Sequence, residues 1–514
     1  MKRKSLIVTL CVLCSLLAIP FVVFGAGQAE EVGENELTIV MGVDMITWDV
    51  HDHGNTSTEA IHMNMFNKIL QRDANMDLQP YLVTSYENVA PTVWEFNLRD
   101  DVYFHNGDQL TAADIKFSLE RVAFDDSLDS HRHFTSIEEV EIIDDFTFKI
   151  HTDGPQPALE ARLALTGSHI LPKDYIEEHG WDHFMSAPVG SGPYSYVEWV
   201  RDSRVVLEKY EDYFLGPDYT DWEKVTFRSV TESSTRVAEL LTGNAQLITE
   251  IPPNEWPRVD NNDGTHHVSG DSNRVMLLIT KHTEGYPTSD PRVREAIEYA
   301  IDNEVITDTI LQGAATPTRT RVLPGNFGAE EDLFDTYLYD QDHARDLLAE
   351  AGYADGVEIT LHSPRGRYLM DSEVAEAIAG MLAEVGIAVN LDILEWSQFL
   401  QKYTDDTNEE LLLIGLGTNA FDASNHLSHY PTEQAAGRID YSNSEVDRLY
   451  AEADSNMDLN ERREQYQEIQ RIIAEERPHI FLHAIKHNFG VADSITFTPR
   501  LDEMLYAPDI EQNF

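Results

Sequence analysis

The chain has 514 residues, 42% of them hydrophobic and 10% aromatic, and sets 91 acidic against 37 basic side chains for a formal charge of −54. That balance excludes nucleic acid as a partner and argues against an anionic membrane surface, because a polyanion is repelled by both. The length excludes a single core, and two or three domains are expected.

The N-terminus opens with Lys2, Arg3 and Lys4, runs on through apolar residues from Leu6 to Phe24, and reaches small residues at Gly27 and Ala29. This is the pattern of a signal peptide over residues 1–29, which places the mature chain outside the inner membrane, periplasmic or associated with the cell envelope. An uncleaved anchor is the alternative, since about 20 apolar residues span a bilayer, but Pro20 interrupts the run. Cys11 and Cys14, the only cysteines, fall within the leader. Their C-x-x-C spacing is therefore read as neither a metal nor a lipid site, and the mature chain has no disulfide to form. Loss of Lys2, Arg3 and Lys4 with the leader takes the charge from −54 to −57. Adaptation to high salt, where screening quiets self-repulsion, and ordinary acidic secretion both fit.

Leu37 to Val43 reads as a first strand, followed by Trp48, Asp49, His51, His53 and Asn55. Trp94, Phe96 and Leu98 alternate with polar residues, the period of a half-buried strand. Asn106-Gly107 supplies a turn. Thr111, with Asp114 three residues on, starts a capped helix whose apolar stripe is Ile115, Leu119 and Val122. Asp290 caps a helix with Pro291 at its first position and Val293, Ile297 and Ile301 on one face. Further on come a helical pattern over 341–351 stopped by Gly352, a strand from Glu358 to His362, a helix from Val374 to Val385 stopped by Gly386, and a strand from Ile387 to Ile393. A long amphipathic helix from Asn460 to Arg477 ends at Pro478. Alternation of this kind argues for an α/β sheet.

Three blocks carry a resemblance. The first is Thr92 to Arg121; the second is Pro188-Val189-Gly190-Ser191-Gly192-Pro193-Tyr194 with Glu198-Trp199 and Tyr213-Phe214-Leu215-Gly216-Pro217; the third is Asp290 to Asp302. In this order they resemble the extracytoplasmic solute-binding proteins of family 5, the peptide, oligopeptide and nickel receptors of ATP-driven importers. The resemblance runs from about Leu37 to the C-terminus. It implies an α/β, two-lobed periplasmic-binding-protein fold (a Venus flytrap) with an additional domain inserted in the first lobe. Lobe one would comprise 37–60, 190–275 and 488–514, the added domain 61–189, and lobe two 276–487, with crossings near Asn273–Leu278 and Ile485–Gly490. It also implies a monomeric receptor, not an enzyme and with no cofactor, which closes on a small peptide or similar polar solute and delivers it to the ABC permease subunits in the membrane.

Candidate site residues follow from the resemblance and from the chemistry of the side chains. Leu411 to Gly417 reads as a buried strand running into Gly415-Leu416-Gly417-Thr418-Asn419-Ala420, a dinucleotide-loop spacing with Asp440 downstream. No helix is expected over Phe421 to Pro431, so nucleotide binding is not read. The strand end is instead a cleft position, where open α/β sheets hold ligands. The loop Asn419 to Leu427 resembles the family's ligand loop. Asn419 stands where peptide-binding relatives carry an aspartate for the α-amino group, and Asp422, Asn425 and His426 follow it. Asn419 cannot form that ion pair; Asp422 can take it over or can simply cap the loop. Arg365 stands where dipeptide-binding relatives grip the ligand carboxylate, a task suited to a planar guanidinium; a solvated loop arginine is the alternative, and Arg367-Tyr368 is a second candidate pair. Trp48 and Asp49 are expected to face the cleft, and Trp48, Trp256 and Trp396 are candidate ligand walls, although core packing is the commoner fate of a tryptophan. His51/His53, His131/His133 and His426/His429 have spacings that suit nickel, but without accompanying cysteines or a tight carboxylate cluster they are read as solvated surface histidines, and no metal site is assigned. G-x-S-x-G, H-E-x-x-H and P-loop motifs are absent from the sequence. The alternatives carried forward are the same receptor role for an oligosaccharide or nickel chelate, a secreted hydrolase, and a sensor or chaperone using the same cleft.

Overall fold

The computed structural model describes residues 35–437 and 439–513; the leader lies outside the described residues. One sheet organises the chain. Its strand order is Ile387–Leu394, Val357–Pro364, Leu411–Gly417, Thr265–Thr280, His479–Ala492, Leu247–Ile248, Glu36–Met41, Lys224–Ser229, Arg204–Lys209 and Tyr194–Val200, with Ala315–Pro317 pairing alongside His479–Ala492. Strands buried on both faces read as unbroken apolar runs. Val275 to Ile279 and Leu411 to Ile414 are such runs and are buried throughout. The helix Asp371–Glu384 links the parallel strands Val357–Pro364 and Ile387–Leu394, a βαβ unit.

Two strands, 16 and 14 residues long, run through both lobes. Thr265 to Asp271 pair with Lys486 to Ala492, and Val275 to Ile279 pair with His479 to Ala484. The register breaks between Asp271 and Val275. A break in a ladder is a local bend.

The added domain is a four-stranded antiparallel sheet, Val83–Ala90, Val93–Leu98, Thr147–Thr152 and Ile137–Asp144, covered by the helix Ala112–Phe124. Trp94, Phe96, Phe148 and Ile150 meet Ile115, Leu119 and Val122 in its core. Thr111 and Asp114 form the complete capping box expected of them. Met63, Met65, Phe66, Leu171, Ile176 and Phe184 pack in one cluster with Leu37, Ile39 and Val225.

Gly190 and Gly192 fit this junction closely. A Cβ on Gly190 would stand 2.0 Å from the Met65 carbonyl oxygen, and one on Gly192 would stand 2.6 Å from the Met65 carbonyl carbon. Backbone cannot retreat from such an overlap. The segment Phe421 to Pro431, expected to hold no helix, carries the five-residue helix Ala423–Leu427, because the Asp422 carboxylate caps it by accepting from the Ser424 N–H.

Candidate functional site

Between the lobes lies a cleft of about 900 Å³. Its lobe-two wall is the loop after the strand Val357–Pro364. Asp371 shapes that loop: its carboxylate accepts from the backbone N–H groups of Gly366, Arg367, Tyr368 and Ser372 at 2.8–3.1 Å. Burial pushes the Asp371 carboxyl up, against the pull of those four donors. The loop presents two cations. Arg365 is exposed and makes no hydrogen bond or ion pair among the described residues. The Arg367 guanidinium lies over the rings of Tyr368 and Trp396, 5.0 and 5.3 Å from their centroids, with no carboxylate partner among the described residues. Tyr368 donates its hydroxyl to the Gly415 carbonyl at 3.1 Å. A Cβ on Gly415 would stand 2.8 Å from both Tyr368 Cε1 and Met276 Sδ, so this glycine makes room for the tyrosine.

The floor is a charge network on the crossing strands. Arg274 grips Glu503 at two points, 3.2 and 3.0 Å, and donates to the Gly415 carbonyl and the Thr56 hydroxyl at 3.1 Å each. His487 contacts Glu250 through Nδ1 at 3.1 Å, and its Nε2 stands 3.2 Å from Glu503 Oε1. Burial alone would depress the His487 pKa, but Glu503 and Glu250 outweigh it and raise the pKa to about 10, so the ring is cationic at neutral pH. Burial likewise opposes ionisation of Glu503, and Arg274 and His487 overcome it, holding the carboxyl far below its usual range. Glu250 and Glu503 have φ of 54° and 68°, and Gln312 and Met370 have 50° and 51°. All four line the cleft. Left-handed backbone at non-glycine residues costs about 1–3 kcal/mol each, and such strain gathers at functional sites. Exposed carboxylates of Glu232, Glu373, Glu376 and Glu395 complete the lining.

Residues 77–438 match the family model described as bacterial extracellular solute-binding proteins, family 5 Middle. The chain belongs to this family. It is the solute-binding component of an ABC importer, a binding protein and not an enzyme. The chain is similar to the glutathione-binding protein GsiB of Salmonella paratyphi A, 27% identical over 457 residues that cover 87% of this chain and 88% of that protein. Among solved structures it is similar to AgaA of A.tumefacien R10 in complex with agropinic acid, with 25% identity, a TM-score of 0.81 and coverage of 93% and 99% of the two chains. It also matches the fold of DppA from Helicobacter pylori in complex with the peptide STSA, with 24% identity, a TM-score of 0.82 and coverage of 93% and 98%.

Within this family 5 chain the residues singled out from sequence scatter. Arg365 lines the cleft, and Trp396 stands behind it, stacked on Phe399 at 5.6 Å and beneath Arg367. Asn419 borders a separate recess of about 20 Å³ beside Arg72, Arg500 and Asp502. The other five do not line the cleft, and each is held by neighbours. Trp48 is wholly buried among His62, Phe66, Tyr196 and Trp199. Asp49 pairs with Arg121 at 2.6 and 2.8 Å. Asp422 gives both oxygens to Arg462, at 2.7 and 2.8 Å. The Asn425 amide lies 3.0 Å from His133 Nδ1, and His426, fully buried, meets Asn326 Oδ1 at 3.0 Å. Trp256 stacks on His267 at 4.3 Å. His51, His53 and His426 are buried rather than solvated, because each sits where a loop folds back onto the sheet or a helix. Glu250, Arg274, His487 and Glu503 went unrecognised. None of them stands in a recognisable motif, and only the position of Arg274 beside the expected crossing hinted at a role.

Proposed function

We propose that this protein captures a small zwitterionic peptide or peptide-like carboxylate in the cleft, with the ligand carboxylate on Arg365 and Arg367 and its cationic end among Glu232, Glu373, Glu376 and Glu395. The observation that carries this reading is a pair of guanidinium groups, two residues apart on a rigidly pinned loop, with no carboxylate of their own. A cleft of about 900 Å³ suits a ligand of a few residues, since small-molecule sites run from about 300 to 1,000 Å³. The ligands named for the relatives, glutathione, agropinic acid and a tetrapeptide, all carry carboxylates and support the same choice. An oligosaccharide is less well served: among the described residues lining the cleft the aromatic side chains are Tyr368 and Phe489, and no tryptophan takes part.

Closure is a shift of population toward a state in which both lobes touch the ligand, bending at the break between Asp271 and Val275. The chain acts as a monomer and its closed form docks on the permease subunits of its importer; the energy of transport comes from partner subunits and not from this chain. Calorimetric titration with short peptides, glutathione, their C-terminal esters and nickel–histidine tests the reading. Binding of the acids and loss of binding on esterification is the expected result. Equal affinity for acid and ester, or binding of nickel–histidine alone, overturns it.

A further inference from the structure

A second group of titratable side chains lies away from the cleft, buried where the helix Thr56–His62 meets the loop after the first strand and the segment around His169. His53, His62 and His169 are wholly buried and Glu59 is 1% exposed. His53 Nε2 stands 3.1 Å from His62 Nδ1 and 4.0 Å from Glu59 Oε2, and His169 Nε2 stands 3.4 Å from Glu59 Oε1. One ligand atom each from His53, Glu59 and His62 fall within 4.8 Å of one another.

Two features mark this cluster as more than a satisfied polar core. Glu59 Oε2 and both ring nitrogens of His169 have no hydrogen-bond partner, although buried polar atoms nearly always find one. The cation on Glu59 is Lys68, whose Nζ stands 2.5 Å from Oε1 and whose side chain, 12% exposed, reaches the cluster from its edge. The donor chemistry also suits a metal. His62 gives its Nε2 proton to the Thr47 carbonyl at 2.9 Å, which leaves the Nδ1 lone pair facing inward and fixes the ring as metal-bound histidines are fixed.

We propose that His53, Glu59 and His62 form a buried site for one divalent transition-metal ion of the zinc type, with His169 beside Glu59, in which Lys68 is the resident cation that the metal displaces. Zinc bonds of about 2.0–2.1 Å to nitrogen in a tetrahedron place ligand atoms about 3.3–3.4 Å apart. The 3.1 Å separation of His53 and His62 is close to this, and the 4.0 Å one between His53 and Glu59 closes with a small turn of Glu59. Charge is accommodated because Lys68 swings out to solvent as the ion enters. The proton on His53 Nε2 moves to Nδ1, where the 3.3 Å contact from the Asn55 N–H gives way. The ion joins the helix Thr56–His62 to the loop at His53 without touching the cleft.

The test uses the full mature chain, stripped with chelator and titrated with Zn²⁺ or with Co²⁺ as a spectroscopic probe. One ion per chain, a tetrahedral cobalt spectrum and a higher unfolding midpoint are expected, all lost in Glu59→Gln and His62→Gln. Lys68→Met should bind about tenfold more tightly or better, and should be destabilised without metal and rescued by it, because Glu59 is then buried without a cation. Arg365→Ala in the cleft and His183→Ala in the exposed His179/His183 pair should leave binding unchanged. Metal binding that survives Glu59→Gln, that is lost in His183→Ala or Arg365→Ala, or that is no tighter in Lys68→Met overturns the proposal. If Glu59→Gln fails to fold, Lys68→Met decides alone.

Discussion

Asp422 is a candidate ligand residue on sequence grounds, and in the fold it caps a helix and pairs with Arg462. Replacing it with alanine separates the two roles. Arg462 is 1% exposed and takes both Asp422 oxygens within 2.8 Å. Removing one partner of a buried pair costs about 3–5 kcal/mol, because the other charge is left in a low-dielectric interior. Arg462 keeps a bond to the Ala453 carbonyl at 3.1 Å and lies over the rings of Phe327 and Tyr466, which favours the lower end of that range. Loss of the cap on Ala423–Leu427 adds about 1 kcal/mol. The expected total is about 3–5 kcal/mol, with ligand affinity close to wild type. Equilibrium urea unfolding of Asp422→Ala, Arg462→Met and the double variant measures it, and the double variant should lose less than the two singles together. An Asp422→Ala variant that unfolds at the wild-type urea concentration while losing its ligand would show that the ion pair is incidental and the carboxylate belongs to the ligand.

Arg365→Ala and Arg367→Ala should each remove a charge-assisted hydrogen bond worth about 1.5–3 kcal/mol, or roughly ten- to a hundredfold in affinity by calorimetry, with the loss smaller at high salt. His487, raised from 6.5 to about 10, contributes stability in full below pH 6.5 and loses it as pH rises through 10; the unfolding midpoint should therefore fall across this interval more steeply in wild type than in His487→Gln. A charge of −54 predicts that unfolding midpoints rise with salt; midpoints independent of salt would rule out the halophilic reading. Gly192→Ala sets a methyl against the Met65 backbone and should lower the unfolding midpoint, whereas Gly107→Ala, at an open turn with φ of 90°, should cost little more than its backbone strain.

Much of the fold was legible because its cues are local. The Thr111/Asp114 box, the Asp290 cap ahead of Pro291, and the apolar runs of the central strands act over a few residues, and each formed its element. The site was less legible because its parts meet only through the fold. Arg274, Glu250, His487 and Glu503 come from four distant segments, and nothing near any of them announces the others. One missed signal was available. On the helix Leu459–Glu476, Arg462 falls on the same stripe as Tyr466, Ile469 and Ile473, all buried. An arginine on an apolar stripe demands a carboxylate partner, which the fold supplies in Asp422. Histidines misled for the opposite reason: His51 and His53 looked like solvated loop residues, but the loop is folded under His169 and the helix Thr56–His62.

The strand His479–Ala492 lies between Thr265–Thr280 and Leu247–Ile248, and Met504, Leu505 and Ile510 close the same core as Leu37 and Ile39. The first lobe therefore holds both the earliest and the latest parts of the described chain. A polypeptide made from its N-terminus cannot finish that lobe until residues 504–510 have been made, and pairings across so much intervening sequence form slowly. Until His479–Ala492 is made, Leu247–Ile248 and Thr265–Thr280 lack the strand that lies between them, so delay in folding is written into the order in which the strands occur.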